Sequence, residues 1–164
     1  MVSSPSIAYH PSIEELLQSL REKLPPIFQK FGVEFAYLGG SWARHEQQWW
    51  SDVDLFVSWP SFSEFAPKEI LKKWIQINVE ASDAIGIEPI EISFLEKIPP
   101  HVQYRVIKEG ILIYERTHDL RINFVEKLLS TCYDYMIWYQ SYLNQAMQNA
   151  MISGNKTGVS EHAY

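Results

Sequence analysis

The sequence predicts a small α+β domain with a short β-sheet, followed by one long helix. Three observations support this prediction. The length of 164 residues suits a single domain. Short apolar runs with strand-like alternation are interspersed with segments of helical periodicity. From residue 117 to about residue 151 the helical pattern is unbroken.

The N-terminal part predicts a helix followed by a strand. Ser12 and Glu15 form a capping box, and five apolar residues then recur on one helical face: Ile13, Leu16, Leu17, Leu20 and Leu24. Pro25 and Pro26 are expected to end or kink this helix, because proline disrupts a helix interior. Residues 33–38 form an apolar strand that stops at Gly39-Gly40.

The middle of the chain predicts three more strands and two helices. Residues 52–58 and 87–95 read as strands, and residues 67–85 read as a helix that begins with proline and ends before Gly86. Pro99-Pro100 leads into a short helix to about Lys108, and residues 111–114 form a last short strand. We therefore expect one domain over residues 12–116, a long helix over 117–151 and a disordered tail over 152–164.

Composition and charge narrow the functional classes. The net charge is −6, so binding to nucleic acid through counterion release is not expected. The single cysteine, Cys132, excludes an internal disulfide framework and fits a reducing compartment. No signal-peptide pattern and no membrane-spanning apolar run is present, which indicates a cytoplasmic protein.

Two carboxylates protrude from an otherwise apolar strand at Asp52 and Asp54. Side chains alternate between the two faces of a strand, so both acids are expected on one face. Val53, Leu55 and Val57 then point into the core. The backbone positions of the two acids are roughly 6–7 Å apart, which lets their side chains converge on one or two divalent cations.

A glycine and a serine precede these acids at a specific spacing. Gly40 allows the backbone to approach a ligand closely, and Ser41 can begin a short helix whose N–H groups point at an anion. Gly40-Ser41, ten intervening residues and Asp52-Val53-Asp54 resemble the signature of minimal nucleotidyltransferases of the DNA polymerase β superfamily. The likeness covers GSWAR (residues 40–44) and SDVDLFV (residues 51–57), and continues more weakly over residues 12–116. It implies a small mixed β-sheet nucleotidyltransferase fold flanked by helices.

The resemblance also implies a third carboxylate on a neighbouring strand. Glu91 is the candidate, although the family more often has Asp there, and Glu88 is its competitor. The implied cofactors are Mg²⁺ and ATP. The implied metal ligands and catalytic residues are Asp52, Asp54 and Glu91, and the implied nucleotide-binding residues are Gly40, Ser41 and Arg44. Arg44 steadies either a phosphate or the loop. His45 and Glu46 stand where the family commonly has glycine, and we expect His45 to face solvent.

The long last helix carries two adjacent apolar stripes, so one stripe can pack on the domain while the other needs a partner. Stand-alone proteins of this kind resemble the antitoxin half of HEPN/MNT toxin–antitoxin pairs, whose antitoxin attaches AMP to a tyrosine of the toxin, next to its RNase motif. The resemblance therefore implies transfer of AMP from ATP to a partner HEPN RNase toxin. Trp49 and Trp50 meet a protein partner, stack on the base or simply pack within the loop.

Two other functions stay open at this point. The first is a non-catalytic antitoxin that acts by binding. The second is an adenylyltransferase that acts on a small hydroxylated molecule. The second alternative requires a helical acceptor-binding domain, which one long helix supplies poorly.

Overall fold

The computed structural model describes residues 11–48, 51–87 and 89–156, so Trp49, Trp50 and Glu88 lie outside the described residues. Its main elements are α1 (Ile13–Phe31), β1 (Phe35–Leu38), α2 (Gly40–Ala43), β2 (Val53–Ser58), α3 (Pro67–Ile85), β3 (Ile90–Phe94), α4 (Pro100–Glu109), β4 (Ile111–Glu115) and α5 (His118–Lys156). The predicted α+β class with a long last helix is confirmed.

The four strands of the described chain form one mixed sheet in the order β3-β2-β1-β4. β1 runs antiparallel to β2 and β4, while β2 and β3 run parallel. A parallel pair needs a crossover connection, and α3 provides it. The β2–β3 register sets Asp54 opposite Glu91 and Leu55 opposite Ile92.

Helices cover both faces of the sheet. On one face, α1 and α3 pack against Val53, Leu55 and Val57, which are fully buried as the alternation predicted. On the other face, Phe35 and Tyr37 form a smaller apolar cluster with α4 and α5. The side chain of Asp54 lies on this second face. The main core of the domain is therefore on the opposite side of the sheet from Asp54.

Helix α1 continues through both prolines to Phe31. Of the two expected effects, an end or a kink, the prolines therefore do not end the helix. The main core contains two fully buried residues that precede the prolines, Leu20 and Leu24, and one that follows them, Phe28. Burial of these large apolar side chains outweighs the hydrogen bonds that the prolines remove. The capping box of Ser12 and Glu15 is present as predicted.

The outer edge of β3 is covered by side chains of α3. Trp74 Nε1 donates to the carbonyl of Ile92 at 2.8 Å, and the Ile92 N–H donates to Asn78 Oδ1 at 3.0 Å. Asn78 Nδ2 in turn donates to the Trp74 carbonyl at 2.8 Å. These bonds fix the strand position next to Glu91.

Among the described side chains, those near the beginning of helix α5 pack on the sheet. Phe124 lies edge-to-face against Phe35 with ring centroids 5.2 Å apart, and Leu128 is buried. Further along, the helix exposes large apolar side chains: Leu129, Tyr133, Met136, Ile137 and Met147. It extends to Lys156, beyond the expected end at about residue 151, and residues 157–164 lie outside the described part. Within the described ranges, no helix is long and apolar enough to cross a bilayer.

Candidate functional site

The loop after β1 is held against β2 by its backbone and by one buried ring. The Gly39 N–H donates to the Asp54 carbonyl at 2.9 Å. Trp42, on the short helix α2, is almost fully buried, and its Nε1 donates to the Ser51 carbonyl at 3.4 Å. The loop therefore has a fixed position over the start of β2.

Gly40 lies directly against the Asp54 carboxylate. Its φ is 62°, in the left-handed region that favours glycine. A Cβ added to Gly40 would overlap Asp54 Oδ2 and lie 3.0 Å from Cγ. Both the backbone conformation and the close approach to Asp54 thus require glycine here. The predicted approach of Gly40 to a ligand stays a prediction.

Asp54 and Glu91 are neighbours on adjacent parallel strands, directly opposite each other in the register. Adjacent strands lie about 4.8 Å apart, so the two carboxylates share one small region of the sheet face. Burial raises the pKa of the Asp54 carboxyl above its ordinary value, and the charges of Glu91 and Asp52 raise it further. Arg44 lowers this pKa. The neighbourhood of Asp54 is therefore negative.

Asp52 is exposed and precedes the first residue of β2, so it lies at the rim of the site. Among the described residues, no three His, Cys, Asp or Glu side chains already form a cluster that could hold a metal ion. Like charges repel one another unless a cation lies between them, and this opposes the gathering of bare carboxylates.

The donor set nevertheless fits a hard divalent cation. The pKa of half-buried Asp54 is raised by two neighbouring carboxylates, and a bound cation reverses the sign of that interaction. Carboxylate oxygens are also the ligands that Mg²⁺ prefers. Asp54, Glu91 and, from the rim, Asp52 are the residues that could hold it.

Asp54 and Glu91 border an open cleft of ≈ 330 Å³. The lining residues already expected from the sequence are Gly40, Arg44, Asp54 and Glu91. Ser41 and Asp52 are not among the lining residues. The opposite wall comes from α4, through Val102, Arg105, Val106 and Glu109. Sequence reasoning missed this wall, although the 3,4 spacing of these four residues places them on one helical face.

Arg44 and His45 shape the loop beside the cleft. Arg44 Nε lies 2.9 Å from Glu46 Oε2, and this hydrogen bond is the main cause of the raised pKa of Arg44. His45 is exposed, as expected, with a φ of 57°. Glycine adopts this conformation without strain, which explains physically why the resembled family commonly has glycine after Ala-Arg.

Comparisons with known proteins bear on the family and the fold of the chain. The family described as "Polymerase beta, Nucleotidyltransferase" matches residues 22–119. A chain of Methanocaldococcus jannaschii named "Putative protein adenylyltransferase" is 28% identical over 95 residues, covering 58% of this chain and 95% of the relative.

Solved structures of low identity share the fold. A chain of a toxin–antitoxin complex with AMP-PNP has a TM-score of 0.59 at 16% identity, covering 77% of this chain and 98% of its own. A chain of the complex between a tri-AMPylated HEPN toxin of Shewanella oneidensis and its MNT antitoxin has a TM-score of 0.56 at 14% identity, covering 80% and 98%.

The match to the family model extends over more than half of the sequence and includes the loop at Gly40, Asp54 on β2 and Glu91 on β3. It confirms the resemblance seen in GSWAR and SDVDLFV. The chain belongs to the polymerase β nucleotidyltransferase family.

Proposed function

We propose that this protein transfers AMP from ATP to a tyrosine hydroxyl of a partner HEPN RNase toxin and thereby neutralises the toxin. The observation that carries the proposal is the pairing of Asp54 with Glu91 beside Gly40, within one cleft. The names of similar proteins support the choice of AMP and of a protein acceptor: a protein adenylyltransferase, and a complex in which a HEPN toxin is tri-AMPylated.

In this proposal the cleft residues bind and orient the two substrates. The Gly40 N–H and Ser41 bind phosphate oxygens, and Arg44 supplies positive charge at the same loop. Asp52 and Asp54 would hold Mg²⁺, which would neutralise charge on the triphosphate and lower the pKa of the attacking hydroxyl. Glu91 would either complete the metal site or accept the tyrosine proton.

The reaction is a single displacement at phosphorus. The tyrosine oxygen forms a bond to the α-phosphorus of ATP, and the bond from that phosphorus to the oxygen bridging to the β-phosphate breaks. Pyrophosphate leaves with the electron pair. Because no intermediate on the protein is required, positioning and electrostatics account for the rate.

The exposed apolar surface of α5 favours a protein acceptor over a small hydroxylated molecule. A groove of ≈ 580 Å³ runs between α4 and α5, lined by Pro100, His101, Tyr104, Leu129, Thr131, Cys132, Tyr133 and Met136. Tyr133 is 64% exposed and Met136 is 60% exposed. Contiguous exposed apolar groups of this kind mark interaction surfaces.

The test is transfer of label from α-³²P-ATP in the presence of Mg²⁺ to the protein encoded by the neighbouring gene. We expect label on a tyrosine of that partner, and loss of label with Asp52→Asn/Asp54→Asn. Asp83→Asn is the matched control, because Asp83 is an exposed acid on α3 remote from the cleft.

The alternatives give distinct results. A complex that neutralises the toxin without any label identifies an antitoxin that acts by binding alone. In that case Leu129→Glu/Met136→Glu abolishes neutralisation, while Asp52→Asn/Asp54→Asn leaves it intact. Label on a small hydroxylated acceptor but not on the partner identifies the other enzymatic alternative.

A further inference from the structure

The wall of the cleft that α4 supplies contains a second guanidinium group, Arg105. We infer that Arg105 binds the β- and γ-phosphates of the nucleoside triphosphate, across the cleft from the Gly40 loop. This inference rests on the proposed function, because it assigns a further binding residue to the same cleft.

The first step of the inference is the charge balance of the cleft. Its lining contains three carboxylates, Asp54, Glu91 and Glu109, and two guanidinium groups, Arg44 and Arg105. A triphosphate adds several negative charges to a cleft whose lining already contains more carboxylates than guanidinium groups. Positive groups that can turn toward the phosphates are therefore required.

The second step is the availability of the two arginines. Arg44 is already bound to Glu46, with Nε 2.9 Å from Oε2. Arg105 is exposed and makes no ion pair or hydrogen bond within the described part of the chain. Its guanidinium can thus rotate into the cleft without giving up a protein partner, and it can donate two parallel hydrogen bonds to phosphate oxygens.

The third step is the rigidity of the wall that carries Arg105. The next residue, Val106, is buried and belongs to the smaller apolar cluster with Phe35, Tyr37 and Leu95, on the sheet face that also carries Asp54. The Gly110 N–H closes α4 by donating to the Val106 carbonyl at 2.8 Å. The backbone of Arg105 is therefore held in place, so only side-chain freedom is lost when it binds phosphate.

The location also separates Arg105 from the other phosphate-binding groups. Gly40, Ser41 and Arg44 belong to α2 or its end, on the β1–β2 side of the cleft, whereas Arg105 stands on α4. A triphosphate held from both walls has its outer phosphates, which leave as pyrophosphate, next to a positive group. Arg105 would then stabilise the leaving group as well as bind the substrate.

The experiment measures nucleotide affinity rather than turnover. Dissociation constants for AMP and for α,β-methylene-ATP, whose α–β linkage is not cleaved, are obtained by calorimetry in the presence of Mg²⁺. The proteins are the wild type, Arg105→Ala, Arg105→Lys and the control Lys108→Ala. Lys108 is an exposed cation on the same helix but does not line the cleft.

We expect Arg105→Ala to weaken binding of the analogue by about tenfold to a hundredfold, the size of lost charge-assisted hydrogen bonds, and to leave AMP binding unchanged. Arg105→Lys is expected to lose less, because it keeps the charge but not the forked donors. Lys108→Ala is expected to match the wild type. Thermal unfolding of each variant establishes that it is folded.

Four results would overturn the inference. If Arg105→Ala binds the analogue as tightly as the wild type does, Arg105 takes no part in phosphate binding and the proposed transfer stands without it. Equal weakening toward AMP and the analogue would place Arg105 away from the outer phosphates, and equal weakening in Lys108→Ala would indicate a diffuse charge effect. A wild type that binds no triphosphate would overturn the proposed function together with this inference.

Discussion

Replacement of Gly40 by alanine separates two roles of this glycine, its backbone conformation and its contact with Asp54. The left-handed conformation costs an alanine about 1–2 kcal/mol. The added Cβ would also overlap Asp54 Oδ2 and lie 3.3 Å from the Asp54 Cβ, so the carboxylate has to move by about 1 Å. A misplacement of this size at a reacting group costs about a hundredfold in rate.

Gly86 provides the matched control. It ends α3 with a φ of 72°, and a Cβ there would meet no atom within 4 Å. Gly86→Ala therefore carries the conformational cost without displacing a site residue. Both variants are expected to lower the melting temperature by about 2–8 °C, since 1 kcal/mol corresponds to about 2–4 °C in a chain of this size.

The assay combines thermal unfolding with single-turnover transfer from labelled ATP. We expect Gly40→Ala to lose about a hundredfold in transfer rate and Gly86→Ala to keep the wild-type rate. If Gly40→Ala transferred AMP as fast as Gly86→Ala, the close approach to Asp54 would have no part in the reaction. The reasoning from the overlap would then be refuted.

Three further predictions concern stability. Folding raises the pKa of Asp54, so the free energy of unfolding falls as the pH rises through the folded-state pKa. Asp54→Asn should therefore be more stable than the wild type near neutral pH, and this difference should vanish below the ordinary carboxyl range. A stability difference that persists in acid would contradict this origin. Asn78→Ala leaves the Ile92 N–H without its acceptor and should lower the free energy of unfolding in urea by about 1–3 kcal/mol. The control Gln76→Ala removes only an exposed hydrogen bond to Glu80 and should change that free energy by less than about 0.5 kcal/mol. Pro26→Ala should stabilise the protein by about 1–3 kcal/mol, because it restores a hydrogen bond in the interior of α1. The control Pro67→Ala, at the start of α3, should bring no such gain in stability. An equal gain in Pro67→Ala would refute the helix-interior explanation.

Much of the fold could be predicted because local patterns and tertiary packing agree. The burial of Val53, Leu55 and Val57 follows from strand alternation, and the end of α3 at Gly86 follows from the left-handed conformation of that residue. The extent of α1 could not be predicted in the same way. Its continuation past Pro25 depends on the burial of Phe28 in a core built from distant segments.

In the candidate site, too, some features could be predicted from local sequence and others depend on distant segments. The Gly40-Ser41 and Asp-x-Asp spacing indicated the β1–β2 half of the site from one local stretch. The position of Glu91 opposite Asp54 depends on the parallel register of β2 and β3, which lies beyond local spacing. Arg105 was missed because an arginine on an exposed helix carries no local sign of which surface it faces.

The covered edge of β3 has a consequence for how other proteins can attach to this one. At Ile92 both outward backbone groups already bond to Trp74 and Asn78 of α3. An incoming chain therefore finds no free backbone ladder at this point, and recognition by strand addition is blocked there. The same coverage protects the sheet from edge-to-edge aggregation beside Glu91.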